Sequence, residues 1–429
     1  MMQGMIGRWR SLAPLALALA VALTAWLGVG VGNGATQTTV SVIWSPNERV
    51  GFETLKTNFE RAHPEIKLNV QYAGVGAGYG PQLRGLLQAG SAPDVMYIVP
   101  GATALYSAQT LGRDGYLDVL AGKKWDDRVP KSLKPQVTVG GKLYGIPLLE
   151  SPVAVGYNKA MFAQLGLKPP GTFREFLSLC RKITAAGKVP YVWAGTPTNV
   201  NINPTLQQAV RTGASEKDFP KLRAQRKTTF SGSAQWRHAI QSIVDMNSAG
   251  CFQRSPQGTG VQQAFVMFAT GQALMSTANP GFINQVKAIN SKLDISGFPM
   301  PAAKAKDTRL WLTPTTVVGL NKASKVKPAA RTFIEFIASD EQMRAYSKAA
   351  NAVSPWDAAR STGFPRWLEG AKTIAKRGNV AEDPGWQFPA GLLETVLAPG
   401  VQGLFTGQKT ARQVLADLDA GYDRLAKRR

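Results

Sequence analysis

The chain has 429 residues, more than one hydrophobic core usually organises, so we expect two domains. Hydrophobic residues make up 44% of the sequence and charged residues 18%, a composition that excludes a disordered chain. Lys and Arg outnumber Asp and Glu by 50 to 27, but the basic residues are scattered. We therefore interpret the excess as diffuse surface charge and expect no nucleic-acid partner.

The N-terminal segment has the order of an export signal, in which basic residues precede an apolar run and small residues follow. Arg8 and Arg10 come first, and the uncharged run behind them has about 20 residues. We expect residues 1–35 to be a signal peptide that is removed, although a run of this length is also able to remain as a membrane anchor. Because the first cysteine is Cys180, no thiol lies near the signal to carry a lipid. We therefore expect a periplasmic or extracellular protein that is not a lipoprotein.

Strands and helices alternate along the next part of the chain. Predicted strands lie at residues 40–45, 66–72 and 93–100, and predicted helices at 47–64 and 81–90 separate them. Strands that are joined through helices by short loops indicate a parallel sheet covered on both faces. The sequence therefore predicts an α/β fold class.

Residues 73–83, "AGVGAGYGPQL", form a glycine-rich loop between a predicted strand and a predicted helix. The loop does not fit G-x-G-x-x-G, because Tyr79 or Pro81 occupies the third glycine position in either frame. No Gly-Lys-Ser/Thr follows it either, so the sequence contains no nucleotide-binding signature here. We interpret the segment as a mobile turn; the alternative is a loop at the rim of a ligand cleft, with Tyr79 as its contact residue.

The alternation resumes after residues 141–159, an extended stretch that is too long for one compact strand and opens on a predicted hairpin at 141–147. The C-terminal tail is mainly helical. The sequence contains no internal repeat or low-complexity linker, so we expect extended crossover strands to join the two domains. The predicted elements of this half are the helices "FREFLSLCRKITAAG", "SAQWRHAIQSIVDMNSAG" and "VQQAFVMFATGQ" and the strands "VPYVWAG", "ALMSTA", "ISGFPMP" and "LTPTTVVGL".

Two motifs predict local structure and not ligand binding. Asp94 stands at the entry to a strand, where a carboxylate can accept backbone N–H groups. Thr172 and Glu175 have the spacing of a capping box and predict the start of a helix.

The chain has two cysteines, Cys180 and Cys251. Two cysteines in an oxidising compartment are able to pair, and the sequence does not show whether these two meet. We favour two unpaired, buried thiols.

The sequence carries no recognisable catalytic motif. It contains only two histidines, His63 and His238, and no G-x-S-x-G, H-E-x-x-H or C-x-x-C pattern. Glu150 has no obvious second carboxylate for glycoside hydrolysis. We therefore predict a protein that is not an enzyme and that needs no metal or cofactor.

Aromatic residues are better placed than acidic ones. Trp44, Trp193, Trp311 and Trp356 all lie at the ends of predicted strands or loops. In parallel α/β sheets ligands bind beyond the carboxyl ends of the strands, and flat indole faces suit the apolar C–H faces of sugar rings. Each tryptophan taken alone is equally compatible with the core, but four at such positions favour a carbohydrate cleft.

The ordered segments together resemble extracellular solute-binding proteins of ABC importers, the family that includes maltose- and glycerol-phosphate-binding proteins. The resemblance covers about residues 39–425. The segments that carry it are "FERAHPEIKLNVQY", "LLQAGSAPDVMYI", "GGKLYGIPLLESPVAVGYNKAMFAQLGLKPPGTFREFLSLCRKI", "FATGQALMSTANPGFINQ", "ISGFPMP" and "KVKPAARTFIEFIASDEQMRAY".

This resemblance implies the periplasmic-binding-protein type II fold, in which two α/β lobes are joined by crossover hinge segments with a ligand cleft between them. We place lobe 1 at residues 36–149 plus 312–352, and lobe 2 at 150–311 plus 353–429. A sugar, either a mono- or an oligosaccharide, would draw the lobes together, and the closed monomer would deliver it to ABC permease subunits in the membrane. Two alternatives stay open: an anionic ligand such as a glycerol phosphate ester, which the excess of basic residues favours, and a secreted glycan-active enzyme.

The resemblance and the strand-end positions together suggest which residues contact the ligand. No metal-binding residue is among them. The candidate ligand-binding residues are Trp44, Asn47, Glu48, Tyr79, Glu150, Ser151, Tyr157, Trp193, Thr196, Asn279, Gly281, Phe282, Trp311 and Trp356.

Overall fold

The computed structural model describes residues 37–74, 78–122, 127, 129–131, 133–214, 218–359, 362–389 and 391–427. The predicted signal peptide and the centre of the glycine-rich loop lie outside these ranges. Within them, no helix combines the length and the apolar character that crossing a bilayer would require.

The strands of the described residues form one mixed sheet and one short hairpin. They are β1 (Thr38–Trp44), β2 (Ile66–Tyr72), β3 (Val95–Ile98), β4 (Thr138–Val139), β5 (Lys142–Leu143), β6 (Ile146–Asn158), β7 (Val189–Val192), β8 (Ala273–Ala278), β9 (Ile295–Phe298), β10 (Leu310–Leu320) and β11 (Val380–Ala381). The sheet has the order β2, β1, β3, β10, β6, β8, β7, with β11 beside β10 and β9 beside β6. β1 is parallel to β2 and β3, whereas β10 is antiparallel to β3 and β6.

Helices cover the sheet, and their apolar spacing determines which side faces inward; α1, for example, buries Phe52, Leu55 and Phe59. The α-helices are α1 (Arg49–Ala62), α2 (Tyr79–Gln88), α3 (Ala108–Arg113), α4 (Lys134–Val137), α5 (Lys159–Gln164), α6 (Phe173–Ala185), α7 (Ile202–Thr212), α8 (Asp218–Ala224), α9 (Ala234–Ser248), α10 (Val261–Ala269), α11 (Pro280–Ile289), α12 (Lys327–Ile337), α13 (Asp340–Ala349), α14 (Pro355–Ala359), α15 (Lys372–Lys376), α16 (Ala398–Thr406) and α17 (Ala411–Ala426). Short 3₁₀ turns lie at Pro46–Glu48, Thr198–Asn201, Pro256–Gly258, Ala305–Asp307, Arg366–Ala371 and Pro384–Gln387, and a π-helical turn lies at Leu393–Leu397.

β6 is 13 residues long and passes from one part of the sheet to the other. Its first part, residues 146–153, pairs with β10, and residues 154–158 pair with β8 and β9. Nearly every side chain of β6 is buried, as expected for a strand that is covered on both faces. β4 and β5 form a hairpin just before β6, and it turns at Gly140 and Gly141, whose φ angles of +55° and +77° favour glycine. The predicted extended crossover strand is therefore present as β6.

The buried apolar side chains form three clusters. The first packs around β1, β2 and β3 and takes its buried members from residues 40–149 and 317–352. The second and third take theirs from residues 153–312 and 353–422. The chain passes between the first cluster and the other two near residues 150, 315 and 352.

Both predicted local motifs are confirmed. Thr172 Oγ1 accepts a hydrogen bond from the backbone N–H of Glu175, and Glu175 Oε2 accepts one from the N–H of Thr172 at 3.1 Å, which completes the capping box of α6. Asp94 accepts the backbone N–H of Ser41 at 2.9 Å and the hydroxyl of Ser324 at 2.6 Å. Its carboxylate thus ties β1 to the segment that leads into α12.

The expectation of two unpaired thiols is wrong, because Cys180 and Cys251 form a disulfide. Cys180 lies on the buried face of α6, and Cys251 follows the end of α9, with their Cα atoms 4.9 Å apart. The hydroxyl of Thr184, one turn after Cys180, donates to the carbonyl of Gly250 at 2.9 Å and holds the two segments together. The sequence contains no local signal for this contact because 71 residues separate the cysteines.

Removing the disulfide should destabilise the protein, because the bond closes a 71-residue loop in the unfolded chain. The loop-entropy relation gives about 4 kcal/mol. We expect the double substitution Cys180→Ala and Cys251→Ala to lower the free energy of unfolding by about this amount in urea titrations. The wild-type protein in reducing agent serves as the matched control and should behave like the double variant. Two free thiols in the untreated wild-type protein would contradict the assignment.

Candidate ligand-binding site

A cavity of about 260 Å³ lies against the central strands β6 and β10. Ser151 and Val153 of β6 and Thr313 and Thr315 of β10 form its floor. Ser151 is paired directly with Thr313, and residues two apart in a strand face the same side, so the register brings these side chains together. The remaining walls come from α7, from the segment 383–394, from Asn279 and from Thr103.

Trp386 supplies the aromatic wall of this cavity. Its indole Nε1 donates a hydrogen bond to Thr313 Oγ1 at 3.0 Å, which fixes the edge of the ring to the floor. The half-buried ring also packs against the first apolar cluster. Gly101, with φ of +74°, allows the close approach, since a Cβ atom there would lie 3.4 Å from the carbonyl oxygen of Trp386. The indole is therefore held in place before any ligand arrives.

Asp383 supplies a carboxylate beside this tryptophan. Its Oδ1 accepts the backbone N–H of Gly385 at 2.7 Å and caps the Pro384–Gln387 turn, while its Oδ2 lies 3.5 Å from the hydroxyl of Thr313. Burial raises the pKa of Asp383 to about 6, although these two hydrogen bonds oppose the rise. The side chain is therefore mostly ionised at neutral pH and able to accept hydrogen bonds.

Further polar groups of the cavity are free to bind a ligand. Among the described residues, the side chains of Thr103, Ser151, Asn203, Thr315 and Glu394 have no hydrogen-bond partner. No Lys, Arg or His occurs among the described lining residues. Hydroxyl, amide and carboxylate groups around a fixed indole are suited to a polar molecule without negative charge.

A second cavity of about 190 Å³ adjoins the first, and the two share Asn203 and Asn279. It lies beyond the carboxyl ends of β7 and β8 and against α10. Asn279 follows β8 and caps α11, because its Oδ1 accepts the backbone N–H of Phe282 at 2.9 Å. The cap fixes the orientation of the amide that separates the two cavities.

Comparison with known proteins identifies the family. The family described as bacterial extracellular solute-binding protein matches residues 45–344. The chain belongs to this family. This solute-binding protein is 25% identical over 293 residues to the multiple sugar-binding protein of Streptococcus mutans, covering 67% of this chain and 68% of that protein. It is 21% identical over 328 residues to the melibiose/raffinose/stachyose-binding protein MelE of Bacillus subtilis, covering 74% of each chain.

The fold of this solute-binding protein is also found among solved structures. It matches the apo form of RafE from Streptococcus pneumoniae with a TM-score of 0.72 and 20% sequence identity, over 91% of this chain and 98% of that one. The predicted α/β fold class and the predicted family are therefore confirmed. Because the family is one of extracellular binding proteins, the chain is a binding protein and not the glycan-active enzyme kept as an alternative.

Four of the residues predicted to contact ligand line the cavities of the solute-binding protein. Ser151 lies in the first cavity, Trp193 and Phe282 lie in the second, and Asn279 lies in both. They come from three segments, which are β6, the end of β7 and the turn from β8 into α11, and the sheet places these segments side by side.

Three of the other predicted aromatic residues lie in the apolar core and line neither cavity. Trp44 is fully buried, its ring centroid is 4.4 Å from that of Phe52, and its Nε1 donates to the hydroxyl of Tyr346 at 2.9 Å. Tyr79 is 1% exposed and its hydroxyl donates to the carbonyl of Tyr97. Trp311 is 1% exposed within the second cluster. Trp44 ends β1, Tyr79 begins α2 and Trp311 is the second residue of β10, and at each of these positions the ring fills the apolar core.

Two more aromatic residues and three small or polar ones lie outside both cavities. Tyr157 packs on Phe162 with ring centroids 4.4 Å apart, and Trp356 packs half-buried against the first cluster. The remaining three, which are exposed, are Asn47, Thr196 and Gly281.

The two predicted acidic contacts also point elsewhere. Glu48 accepts hydrogen bonds from the hydroxyls of Tyr346 and Thr316, and burial raises the pKa of its carboxyl group. Glu150 follows Leu149 in β6 and lies on the sheet face opposite Ser151, because neighbouring side chains alternate. Burial and the nearby charge of Glu382 raise the pKa of Glu150 to about 8.

The residues that sequence reasoning missed are mainly in "EDPGWQFP", residues 382–389. Trp386 was overlooked because it stands in a turn and not at the end of a long strand. The sequence does contain a signal for this turn. An acidic residue followed by Pro-Gly-Trp, as at residues 383–386, is typical of a turn that presents an aromatic ring. Asn203, Thr313 and Glu394 carry no such local signal.

The raised pKa of Glu150 leads to a testable dependence of stability on pH. A carboxyl group with a pKa near 8 in the folded state and 4.5 when exposed destabilises the fold as pH rises between these values. Glu150→Gln imitates the protonated form, so we expect it to raise the melting temperature at pH 9 and to leave it unchanged at pH 4. At 1.36 kcal/mol per pKa unit, the gain in stability is limited to about 5 kcal/mol.

Glu341→Gln provides the control for this experiment, because Glu341 is exposed on α13. The shift in melting temperature that Glu341→Gln causes, relative to the wild type, should be the same at pH 4 and at pH 9. Melting curves followed by circular dichroism measure this shift for both variants. An equal effect of Glu150→Gln at pH 4 and pH 9 would disprove the assignment.

Proposed function

We propose that this protein is the substrate-binding component of an ABC importer, which captures a sugar in the 260 Å³ cavity and delivers it to membrane permease subunits. The observation that carries the proposal is the fixed indole of Trp386 among hydrogen-bonding groups that have no partner in the described residues. An indole face contacts the C–H face of a sugar ring, and the surrounding groups then direct the hydroxyls.

The relatives support a sugar as the ligand. The Streptococcus mutans protein is a multiple sugar-binding protein, and the Bacillus subtilis protein binds melibiose, raffinose and stachyose according to its name. Together with the polar cavity, these names favour a neutral saccharide for this chain.

We further propose that the protein closes around its ligand as two lobes, residues 36–149 plus 312–352 and residues 150–311 plus 353–429. The change of apolar cluster near these boundaries supports the division. Trp386 packs against the first cluster, whereas Val153, Leu206 and Leu393 of the same cavity belong to or pack on the second. A ligand that contacts both clusters stabilises the closed form, in which both sets of contacts exist.

The proposal has four further parts. Residues 1–35 direct export, and the exported protein is a monomer without a lipid anchor. Its closed form docks on a permease. The membership of an extracellular family and the disulfide support export to an oxidising compartment.

The anionic-ligand alternative has less support. Asp383 and Glu394 line the cavity, and no basic side chain occurs among its described lining residues. Two carboxylates would repel a phosphate ester that has no cation to pair with.

Substitution of Trp386 tests the proposal directly. In thermal-shift and calorimetric assays with melibiose, raffinose, stachyose, maltose, galactose, glucose and glycerol 3-phosphate, we expect at least one neutral sugar to stabilise the wild-type protein. Trp386→Ala should weaken that binding by about 2 kcal/mol, or roughly 30-fold in Kd, through loss of the stacking surface.

Trp356→Ala is the matched control, because Trp356 is half-buried but lines neither cavity. It should bind the sugar like the wild type. Stabilisation by glycerol 3-phosphate alone, or full sugar affinity in Trp386→Ala, would overturn the proposal.

The pKa of Asp383 adds a dependence on pH. A carboxyl group with a pKa of about 6 loses its ability to accept two hydroxyl hydrogen bonds as pH falls through that value. We expect sugar affinity to fall by up to about tenfold between pH 7 and pH 5. The reason is that the ionised fraction of Asp383 falls about tenfold for each pH unit below its pKa. Asp383→Asn should bind more weakly at pH 7 and lose this dependence; a pH-independent wild-type Kd would contradict the role.

A further inference from the structure

The second cavity, of about 190 Å³, differs chemically from the first although the two adjoin. None of the described residues that line it is Asp, Glu, Lys, Arg or His. Most of its wall is aliphatic or aromatic, and the main contributors are Val200, Pro204, Val261, Ala264, Phe265 and Phe282.

The hydroxyl groups of this cavity are already bonded within the protein. The hydroxyls of Tyr191 and Thr277 contact each other, and both lie 3.3 Å from Gln207 Oε1. Ser276 Oγ donates to the carbonyl oxygen of Val192 at 3.1 Å. The hydrogens of these hydroxyl groups are therefore already donated within the protein, and a ligand would find no free hydroxyl donor here.

Several other polar atoms of the wall are also bonded within the protein. Trp193 Nε1 donates to Asn201 Oδ1 at 2.7 Å, and the backbone N–H and C=O of Trp193 both bond to the Gln253 side chain. Asn279 Oδ1 is used in capping α11. Free hydrogen-bonding capacity remains at the boundary with the first cavity, where the Asn203 side chain and Asn279 Nδ2 have no partner among the described residues.

This contrast determines which chemical group each cavity accepts. A sugar hydroxyl that faces the aliphatic and aromatic wall of the second cavity would lose hydrogen bonds to water, at a cost of about 1–3 kcal/mol for each group left unsatisfied. An apolar group moved there gains about 25 cal/mol per Å² of surface removed from water. The size is sufficient for a six-membered ring, because an apolar cavity of about 150 Å³ is known to hold benzene.

We propose that the ligand is a saccharide with an apolar substituent, such as an aryl or alkyl glycoside, whose sugar occupies the first cavity and whose substituent occupies the second. The glycosidic linkage passes between Asn203 and Asn279, which line both cavities. This inference rests on the proposed function, since it extends the same site.

Matched pairs of glycosides distinguish binding of the sugar in the first cavity from binding of its substituent in the second. Calorimetry with the methyl and phenyl α- and β-glycosides of galactose and glucose measures the effect of the substituent on an unchanged sugar. We expect the phenyl member of the preferred pair to bind at least about tenfold more tightly than the methyl member, since it buries more apolar surface.

Filling the second cavity should remove that preference. Val261 is half-buried at the start of α10 and lines the cavity, so Val261→Trp places a ring where the substituent would lie. Val266→Trp is the control on the same helix, because Val266 is 44% exposed and lines neither cavity. We expect Val261→Trp to lower the ratio of phenyl- to methyl-glycoside affinity to about one, whereas Val266→Trp keeps the wild-type ratio.

Retained methyl-glycoside binding also shows that the Val261→Trp variant is folded. Equal affinity of the wild type for the methyl and phenyl members would disprove the inference and leave the proposed function standing. A phenyl preference that persists in Val261→Trp would disprove it as well. Failure of both glycosides and all free sugars to bind would remove the proposed function and this inference with it.

Discussion

The antiparallel pairing of β6 with β10 is the constraint on which the proposed ligand site depends. In this pair Ser151 lies opposite Thr313, and Val153 lies opposite Trp311. Side chains alternate between the two faces of a strand, so this register turns the hydroxyls toward the cavity and Glu150 away from it. A shift of one residue would exchange the faces and put the carboxyl group of Glu150 where Ser151 now lies. Both strands are almost completely buried, which makes such a shift costly and keeps the floor of the site rigid.

An irregularity in β10 adds to this geometry. The register shifts on both sides of Thr316, next to Pro314, which has no N–H to contribute to the ladder. The extra residue, Thr315, lines the cavity, while the hydroxyl of Thr316 donates to Glu48 at 2.6 Å. The bulge therefore directs one threonine to the ligand cavity and the next to the polar network of the first apolar cluster.

Net charge and site charge are separate properties in this protein. The chain carries a formal charge of +23, yet the charged residues described in the first cavity are Asp383 and Glu394. Exposed charges are screened over about 8 Å at physiological ionic strength, so scattered lysines and arginines influence the cavity little. The residues within hydrogen-bond reach of the ligand decide its chemistry. For this reason the overall composition kept an anionic ligand open, and only the arrangement of side chains argues against it.

The sequence by itself determined the alternation of strands and helices, the capping box at Thr172 and the resemblance to solute-binding proteins, because periodicity and caps depend on residues three or four positions apart. The tertiary structure alone decided that Trp386 lines the cavity while Trp44 fills the core, and that Cys180 meets Cys251 across 71 residues. Such outcomes depend on which distant segments pack together. A tryptophan at a strand end has the same local sequence signal whether a helix or a cavity lies beyond it.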